Sequence, residues 1–280
     1  MKNKNFKYTL ITGASTGLGK EFAIECARRR MNLLLVSLPN EDLGGLCEEL
    51  MANYQIRVFY RETDLTERSA VEDLSEWVLQ NFTVNMIINN AGVGGSRIFV
   101  DSSIDYLDNI IQLNVSSMVL LTRLLLPELK KHDAAYILNV SSLAAFSPVP
   151  YKTVYPATKV FIHHFTRGLE AELRESNVHV SVLSPGPIMT NSDVTKRING
   201  QSFYVKLSIM SAQRVARIAV RKLLRGKTVI IPGFMNQFNA FVIRMVPVDF
   251  RIRVGTKIFK RELKKKKLDE GTYHRSERAS

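Results

Sequence analysis

Short apolar runs alternate with amphipathic stretches along most of the chain, and no other feature limits the fold as strongly. Lys7–Thr12, Asn32–Ser37, Ile56–Tyr60, Asn85–Asn89, Ala135–Ser141, Val178–Ser184 and Lys227–Ile231 read as strands. Between them lie Gly17–Arg30, Glu41–Asn53, Thr66–Gln80, a long region from Ser103 to Lys131 read as two helices, Tyr155–Glu175 and Ser211–Arg225. All have helical spacing; Leu43, Leu46, Cys47 and Leu50, for instance, recur at i, i+3, i+4 and i+7. Strands that are apolar along their whole length have no face for water, so the sheet is expected to be parallel and covered on both sides. Seven strands in one series, with no linker-like stretch, predict an α/β fold: one doubly wound, Rossmann-like domain over 1–232. The remainder, 233–280, reads as an amphipathic helix and a basic tail.

Composition narrows the class. With 280 residues, 45% hydrophobic and 23% charged, the chain can bury a core, and it is not collagen, a disulfide scaffold or a disordered polymer. Its net charge of +13 is unusual and is concentrated at one end. Residues 244–280 carry 12 Lys and Arg against 5 Asp and Glu, and 251–267 sets nine basic residues against Glu262 alone. Cys26 and Cys47 fall on helical stretches and read as packing residues, with neither disulfide nor metal-ligand spacing around them. The basic start, Met1 to Tyr8, leads into a short apolar run ending at Thr12, which reads as a first strand. No run approaches the roughly 18 apolar residues of a membrane span, and a reducing cytoplasmic setting is the default expectation.

Chemistry is concentrated at the strand ends. The first strand runs into Thr12-Gly13-Ala14-Ser15-Thr16-Gly17-Leu18-Gly19 and then a helix. Glycines at such a turn permit close backbone approach, and the helix N-terminus offers N–H donors to a pyrophosphate. At the end of the second strand, where an acid would bind a ribose 2′-hydroxyl or a base a 2′-phosphate, stand Ser37-Leu38-Pro39. That leaves NAD and NADP both open; the missing carboxylate tilts the choice slightly to NADP. Tyr155 and Lys159, four apart on a helix, face one way, and an ammonium beside a phenol favours proton exchange. The spacing alone is weak; its place after the fifth strand, near Ser142, gives it weight.

These motifs together resemble the short-chain dehydrogenase/reductase family, over roughly 6–232. The glycine loop looks like Gly13, Gly17 and Gly19, with Ser15, Thr16, Leu18 and Ser37 beside it. The family's adenine-holding acid looks like Asp64, next to Leu65, although Asp64 also suits a helix cap. The sheet-stabilising stretch looks like Asn89-Asn90-Ala91-Gly92, and the Pro-Gly turn at the nicotinamide looks like Pro185-Gly186, followed by Ile188 and Thr190. The resemblance implies that Tyr155 exchanges a proton with substrate, that Lys159 lowers the Tyr155 pKa and holds the nicotinamide ribose, and that Ser142 orients the carbonyl. Asn114 would support a water leading to Lys159, or else bend its helix. Two departures stand out: Pro156 follows the tyrosine, and neither Thr16 nor Leu38 is basic. His163 and His164 read as packing or surface residues.

The resemblance implies an NAD(P)-dependent enzyme interconverting a ketone and a secondary alcohol. The apolar residues of 191–210, where the family carries a lid, suggest an acyl-chain, lipid or steroid-like substrate. The alternative is a protein of this fold that senses nucleotide or binds a partner without turnover. Phe234, Met235, Phe238, Phe241, Val242, Met245 and Val246 form a helical stripe, with Asn236, Gln237, Asn239 and Arg244 facing elsewhere. The stripe either packs on the body or on a second copy, or walls the substrate pocket, or, with the basic run, makes 234–267 a peripheral foot on an anionic membrane. Nucleic acid is the weakest partner, since the basic run holds one aromatic, Phe259, and no readout motif is present. A homo-oligomer through 103–131 and 155–175 is also expected.

Overall fold

A computed structural model describes residues 3–95, 97–189 and 208–257. The strands are β1 (Lys7–Thr12), β2 (Asn32–Ser37), β3 (Val58–Glu62), β4 (Thr83–Asn89), β5 (Ala135–Val140), β6 (Val178–Leu183), β7 (Ile188–Met189), β8 (Met210–Ser211) and β9 (Val229–Ile230). Seven of them form a parallel sheet in the order β3-β2-β1-β4-β5-β6-β9, while β7 and β8 pair separately. The helices are α1 (Gly17–Arg28), α2 (Leu43–Tyr54), α3 (Arg68–Asn81), α4 (Ile104–Ile111), α5 (Ser117–Leu129), α6 (Val154–Glu172), α7 (Ala212–Leu223) and α8 (Phe234–Met245). The expected doubly wound α/β fold is therefore present, and its strand order reverses between β1 and β4, where such sheets open a crevice.

Alternate strand residues feed two cores. Ile11, Leu33, Leu35 and Ile88 pack with α1, α2 and α7 on one face, and Leu10, Leu34, Val36 and Ile87 pack with α3 and α5 on the other. Side chains alternate across a strand, so a strand covered on both faces must be apolar at every position.

Pairing sets boundaries that periodicity alone misplaces. β3 lies two residues beyond its expected span because Leu33 to Ser37 of β2 pair with Val58 to Glu62. Thr66 does not cap α3: the Asp64 Oδ1 atom accepts hydrogen bonds from the Thr66 backbone N–H (2.9 Å) and hydroxyl (2.8 Å), and the helix starts at Arg68. The helices expected between 103 and 131 do not separate. A π turn, Gln112–Ser116, joins α4 to α5 into one continuous helical stretch. That stretch, Ile104–Leu129, is by length and composition apolar enough to cross a membrane (mean hydropathy 1.5), which corrects the reading of the chain as lacking any such run. Leu121, Leu125 and Leu129 are buried in the core shared with α3 and the sheet, while 39% of the apolar window as a whole is buried.

The C-terminal helix reverses an expectation. Asn236, assigned from the sequence to the polar side of α8, is buried with Ala240, while Phe234, Phe238, Phe241 and Met245 are exposed. The segment 191–207, most of the expected lid, and Thr190 lie outside the described residues.

Candidate active site

The C-terminal ends of β1, β4, β5 and β6 converge on a cleft of about 880 Å³. Its floor at β1 is made by glycine. Gly13 has φ +64°, and a Cβ on Gly19 would stand 1.8 Å from the Gly13 carbonyl oxygen. Only glycine lets α1 start this close to the strand. The turn is pinned to β4 from both sides. The Thr12 hydroxyl accepts from the backbone N–H groups of Asn90 (3.1 Å) and Ala91 (3.0 Å), and the Asn90 amide donates to the carbonyls of Thr12 and Gly13 (3.0 Å each). At the helix N-terminus, Thr16 makes no side-chain cap and the first turn holds no acidic residue, so its N–H groups remain free to bind an anion.

At the other end stand the expected reacting side chains. Tyr155 and Lys159 open α6, one turn apart, with Lys159 Nζ 5.6 Å from the tyrosine ring centroid. The Lys159 ammonium is buried and donates to the Val140 carbonyl at 3.0 Å, while the Ser141 hydroxyl donates to the Lys159 backbone carbonyl at 2.7 Å. Burial holds its pKa down to about 8. Burial pushes the Tyr155 phenol above its ordinary value, opposed in part by a hydrogen bond with Ser142. The lowering expected from Lys159 is not seen: the phenol stands above its ordinary value. The Ser142 oxygen also accepts from the Ala144 backbone N–H at 3.1 Å, which orients it from its own turn. Pro156 sits in the first turn of α6, where no intrahelical N–H is required.

Asn114 lies in the π turn and is buried. Its Oδ1 accepts from the Val93 N–H (2.8 Å), and its amide donates to the Val93 carbonyl (2.9 Å) and the Thr158 hydroxyl (3.1 Å). Both amide hydrogens are thus engaged, and the side chain clamps the loop after β4 to α6. A water path expected to rest on Asn114 has no free side-chain donor there.

Of the residues expected at the site, Gly13, Ser15, Thr16, Gly17, Leu18, Ser37, Leu65, Asn90, Ala91, Gly92, Ser142, Tyr155, Lys159, Pro185, Gly186 and Ile188 line the cleft. Gly19 and Asn114 lie behind the lining and support it; Asp64 is exposed and builds the turn before α3, with its neighbours Thr63 and Leu65 in the lining instead. The expectation that Asp64 holds the adenine is not supported by this placement. Asp64 does not cap α3 either, since its carboxylate accepts only from Thr66 and the helix starts at Arg68 after Glu67 with no side-chain cap. His163 is buried against the Phe146 ring and His164 is exposed, as expected.

Three residues escaped sequence reasoning. Thr12 ties two strand ends together, a role visible only once β1 and β4 are neighbours. Glu41 lines the cleft beside Ser37 and Leu38, and its carboxylate accepts a hydrogen bond from the Ser15 hydroxyl. The cleft beside the end of β2 therefore does hold a carboxylate, whose absence was the ground for favouring NADP. Asn236 packs on the Pro185-Gly186 turn, and nothing in its sequence surroundings distinguishes it from a surface asparagine.

The short chain dehydrogenase family model matches residues 7–201, from β1 past the Pro-Gly turn. The chain belongs to the short-chain dehydrogenase family. Among relatives of this short-chain dehydrogenase, a very-long-chain 3-oxoacyl-CoA reductase of Anas platyrhynchos is 32% identical over 187 residues, covering 65% of this chain and 60% of that protein. A 17-beta-hydroxysteroid dehydrogenase type 3 of Mus musculus is 31% identical over 198 residues, covering 70% and 64%. The chain thus spans about three-fifths of the length of these relatives. Among solved structures, a short-chain dehydrogenase from Sphingobium yanoikuyae in complex with NADPH matches with TM-score 0.73 at 26% identity, covering 84% of this chain and 92% of that one. A 7beta-hydroxysteroid dehydrogenase matches with TM-score 0.81 at 22% identity, covering 89% and 96%, a likeness of fold.

Proposed function

We propose that this short-chain dehydrogenase reduces an apolar ketone to a secondary alcohol, and runs the reverse oxidation, with a nicotinamide dinucleotide. The observation that carries this reading is the placement of Ser142, Tyr155 and Lys159 in one cleft with the glycine turn of β1. The cleft suits a dinucleotide: the Gly13 and Gly19 turn admits close backbone approach, and the uncapped start of α1 faces an anion. When bound, the dinucleotide supplies or accepts the hydride at its nicotinamide ring.

The chain's own residues position and move the proton. Ser142, held by the Ala144 N–H, donates to the substrate oxygen and polarises the carbonyl. Tyr155, whose hydroxyl accepts from Ser142 until substrate takes that hydrogen bond, gives its proton to the same oxygen as negative charge develops there. Lys159, held by the Val140 carbonyl, is placed to bind the nicotinamide ribose, and Asn114 holds the Val93 loop and α6 in register. Leu143, Ala144, Val149 and Ile188 give the cleft an apolar wall, which supports an acyl-chain or steroid-like substrate, as do the names of the two relatives.

For the cofactor, Glu41 turns the reading from NADP to NAD. Its carboxylate would repel a 2′-phosphate and can accept from a 2′-hydroxyl, and no Lys or Arg lines that end of the cleft among the described residues. Ile111 and Phe161, exposed on α4 and α6, support pairing of two copies through those helices.

Turnover of a panel of long-chain and steroidal ketones with NADH and NADPH tests the proposal. Activity is expected with NADH in excess over NADPH, and Glu41→Gln should narrow that ratio. Tyr155→Phe should lower kcat by about 10²–10⁴ while leaving dinucleotide binding intact. Binding of dinucleotide with no turnover of any ketone or alcohol would favour a sensor instead.

A further inference from the structure

Helix α8 is amphipathic but mounted with its apolar face outward. At about 100° per residue, Phe234, Phe238, Phe241 and Met245 fall within a stripe about 60° wide. Their exposures are 80%, 51%, 62% and 70%. Asn236 and Ala240, on the opposite side of the helix, are 1% and 2% exposed. The helical stretch 248–257 that follows also exposes Phe250 and Val254. A contiguous row of this size on a water-facing surface calls for an occupant.

The helix is fixed in this orientation. The Asn236 amide donates to the carbonyls of Ser208 (3.0 Å) and Pro232 (2.9 Å), and the Arg244 guanidinium lies 4.5 Å from the centroid of the Phe146 ring. Arg251 adds a hydrogen bond to the Phe146 carbonyl. Rolling the stripe inward would break each of these contacts and expose a buried amide.

Charge selects the occupant. Arg253 and Lys257 are exposed on the helical stretch that follows α8, and in the sequence 260–267 has Lys or Arg at six of eight positions. A second copy packed stripe to stripe would bring these cations against themselves. A surface of lipid phosphates with an acyl interior complements both features: aromatic and methionine side chains enter the boundary, and the cations meet the headgroups. We propose that α8 and the basic segment after it dock this protein on an anionic lipid bilayer. Because α8 is braced on the Gly186 turn and on Phe146, beside the cleft, an apolar substrate would reach the site from the bilayer. That last consequence rests on the ketone reading above; the docking does not.

Co-sedimentation of the full chain with vesicles, without substrate, tests it. Vesicles of phosphatidylcholine with about one third phosphatidylglycerol should pellet the protein, and phosphatidylcholine alone should bind at least about tenfold more weakly. The variant Phe238→Glu/Phe241→Glu/Met245→Glu alters exposed side chains only, so it should keep its Tm and its dinucleotide affinity yet stay in the supernatant. Should that variant misfold, Lys264→Gln/Lys265→Gln/Lys266→Gln/Lys267→Gln leaves α8 untouched and should weaken anionic vesicle binding roughly tenfold or more. Docking is overturned if the wild type ignores anionic vesicles, or if the folded triple variant pellets as well as wild type. It is equally overturned if sedimentation velocity shows a dimer that the triple variant dissociates, with no vesicle binding. Turnover plays no part in these readouts, so failure of the ketone reading leaves them interpretable, and failure of docking leaves that reading intact.

Discussion

Asn236 occupies the space that a side chain at Gly186 would need: a Cβ there would stand 2.3 Å from Asn236 Oδ1. The residue that locks the C-terminal helix to the body is thus also the back wall of the Pro185-Gly186 turn. Gly186→Ala should cost about 1–3 kcal/mol of stability and weaken dinucleotide binding. In an Asn236→Ala background most of the added cost should disappear. A double-mutant cycle by denaturant unfolding checks this; strictly additive losses would mean the two residues do not meet.

Gly19 stands under a harder constraint, since its neighbour is backbone. Gly19→Ala drives a methyl into the Gly13 carbonyl, which no rotamer change relieves. The expected outcome is a loss of roughly 2–3 kcal/mol, with dinucleotide affinity lowered at least about tenfold, read by fluorescence titration.

Lys159 predicts a pH dependence of catalysis. Burial brings its pKa from the ordinary 10.5 down to about 8, so the ammonium is present below that value and lost above it. In the reductive direction kcat/KM should fall as pH rises through about 8, and Lys159→Arg, which keeps its charge, should lack that limb if it remains active.

The same residue predicts a stability effect of opposite sense. Its folded pKa lies below the unfolded one, so the unfolded chain holds the extra proton between about 8 and 10.5, and this term favours folding increasingly as pH rises through that window. At pH 7 the buried charge opposes folding by about 3 kcal/mol. Lys159→Met should therefore raise the Tm of the cofactor-free protein while abolishing turnover, less about 1 kcal/mol for the Val140 carbonyl left without its donor. Its advantage over wild type should shrink between pH 8 and 10.5, as followed by calorimetry.

Cys26 and Cys47 are buried and free, and burial pushes both thiols up to about 12. Neither should react with a disulfide reagent in the native protein at pH 8, and both should react in urea. Rapid labelling of the native chain would contradict their burial.

The sequence by itself determined the sheet. Continuous apolar runs separated by helical spacing admit little besides a parallel sheet covered twice, and the glycine turn and the Tyr155/Lys159 pair lie at strand ends readable from the same pattern. Local chemistry was legible because it depends on neighbours in the chain. What the tertiary structure decided depends on neighbours in space. Thr12 acquires its role because β4 lies beside β1, Glu41 because the turn before α2 brings it against Ser15 at the cleft, and Asn114 because a π turn aims its amide at Val93. The facing of α8 is the clearest case. Periodicity finds an apolar stripe but not what covers it, and here the Gly186 turn and the carbonyls of Ser208 and Pro232 accommodate an asparagine, leaving the phenylalanines outside.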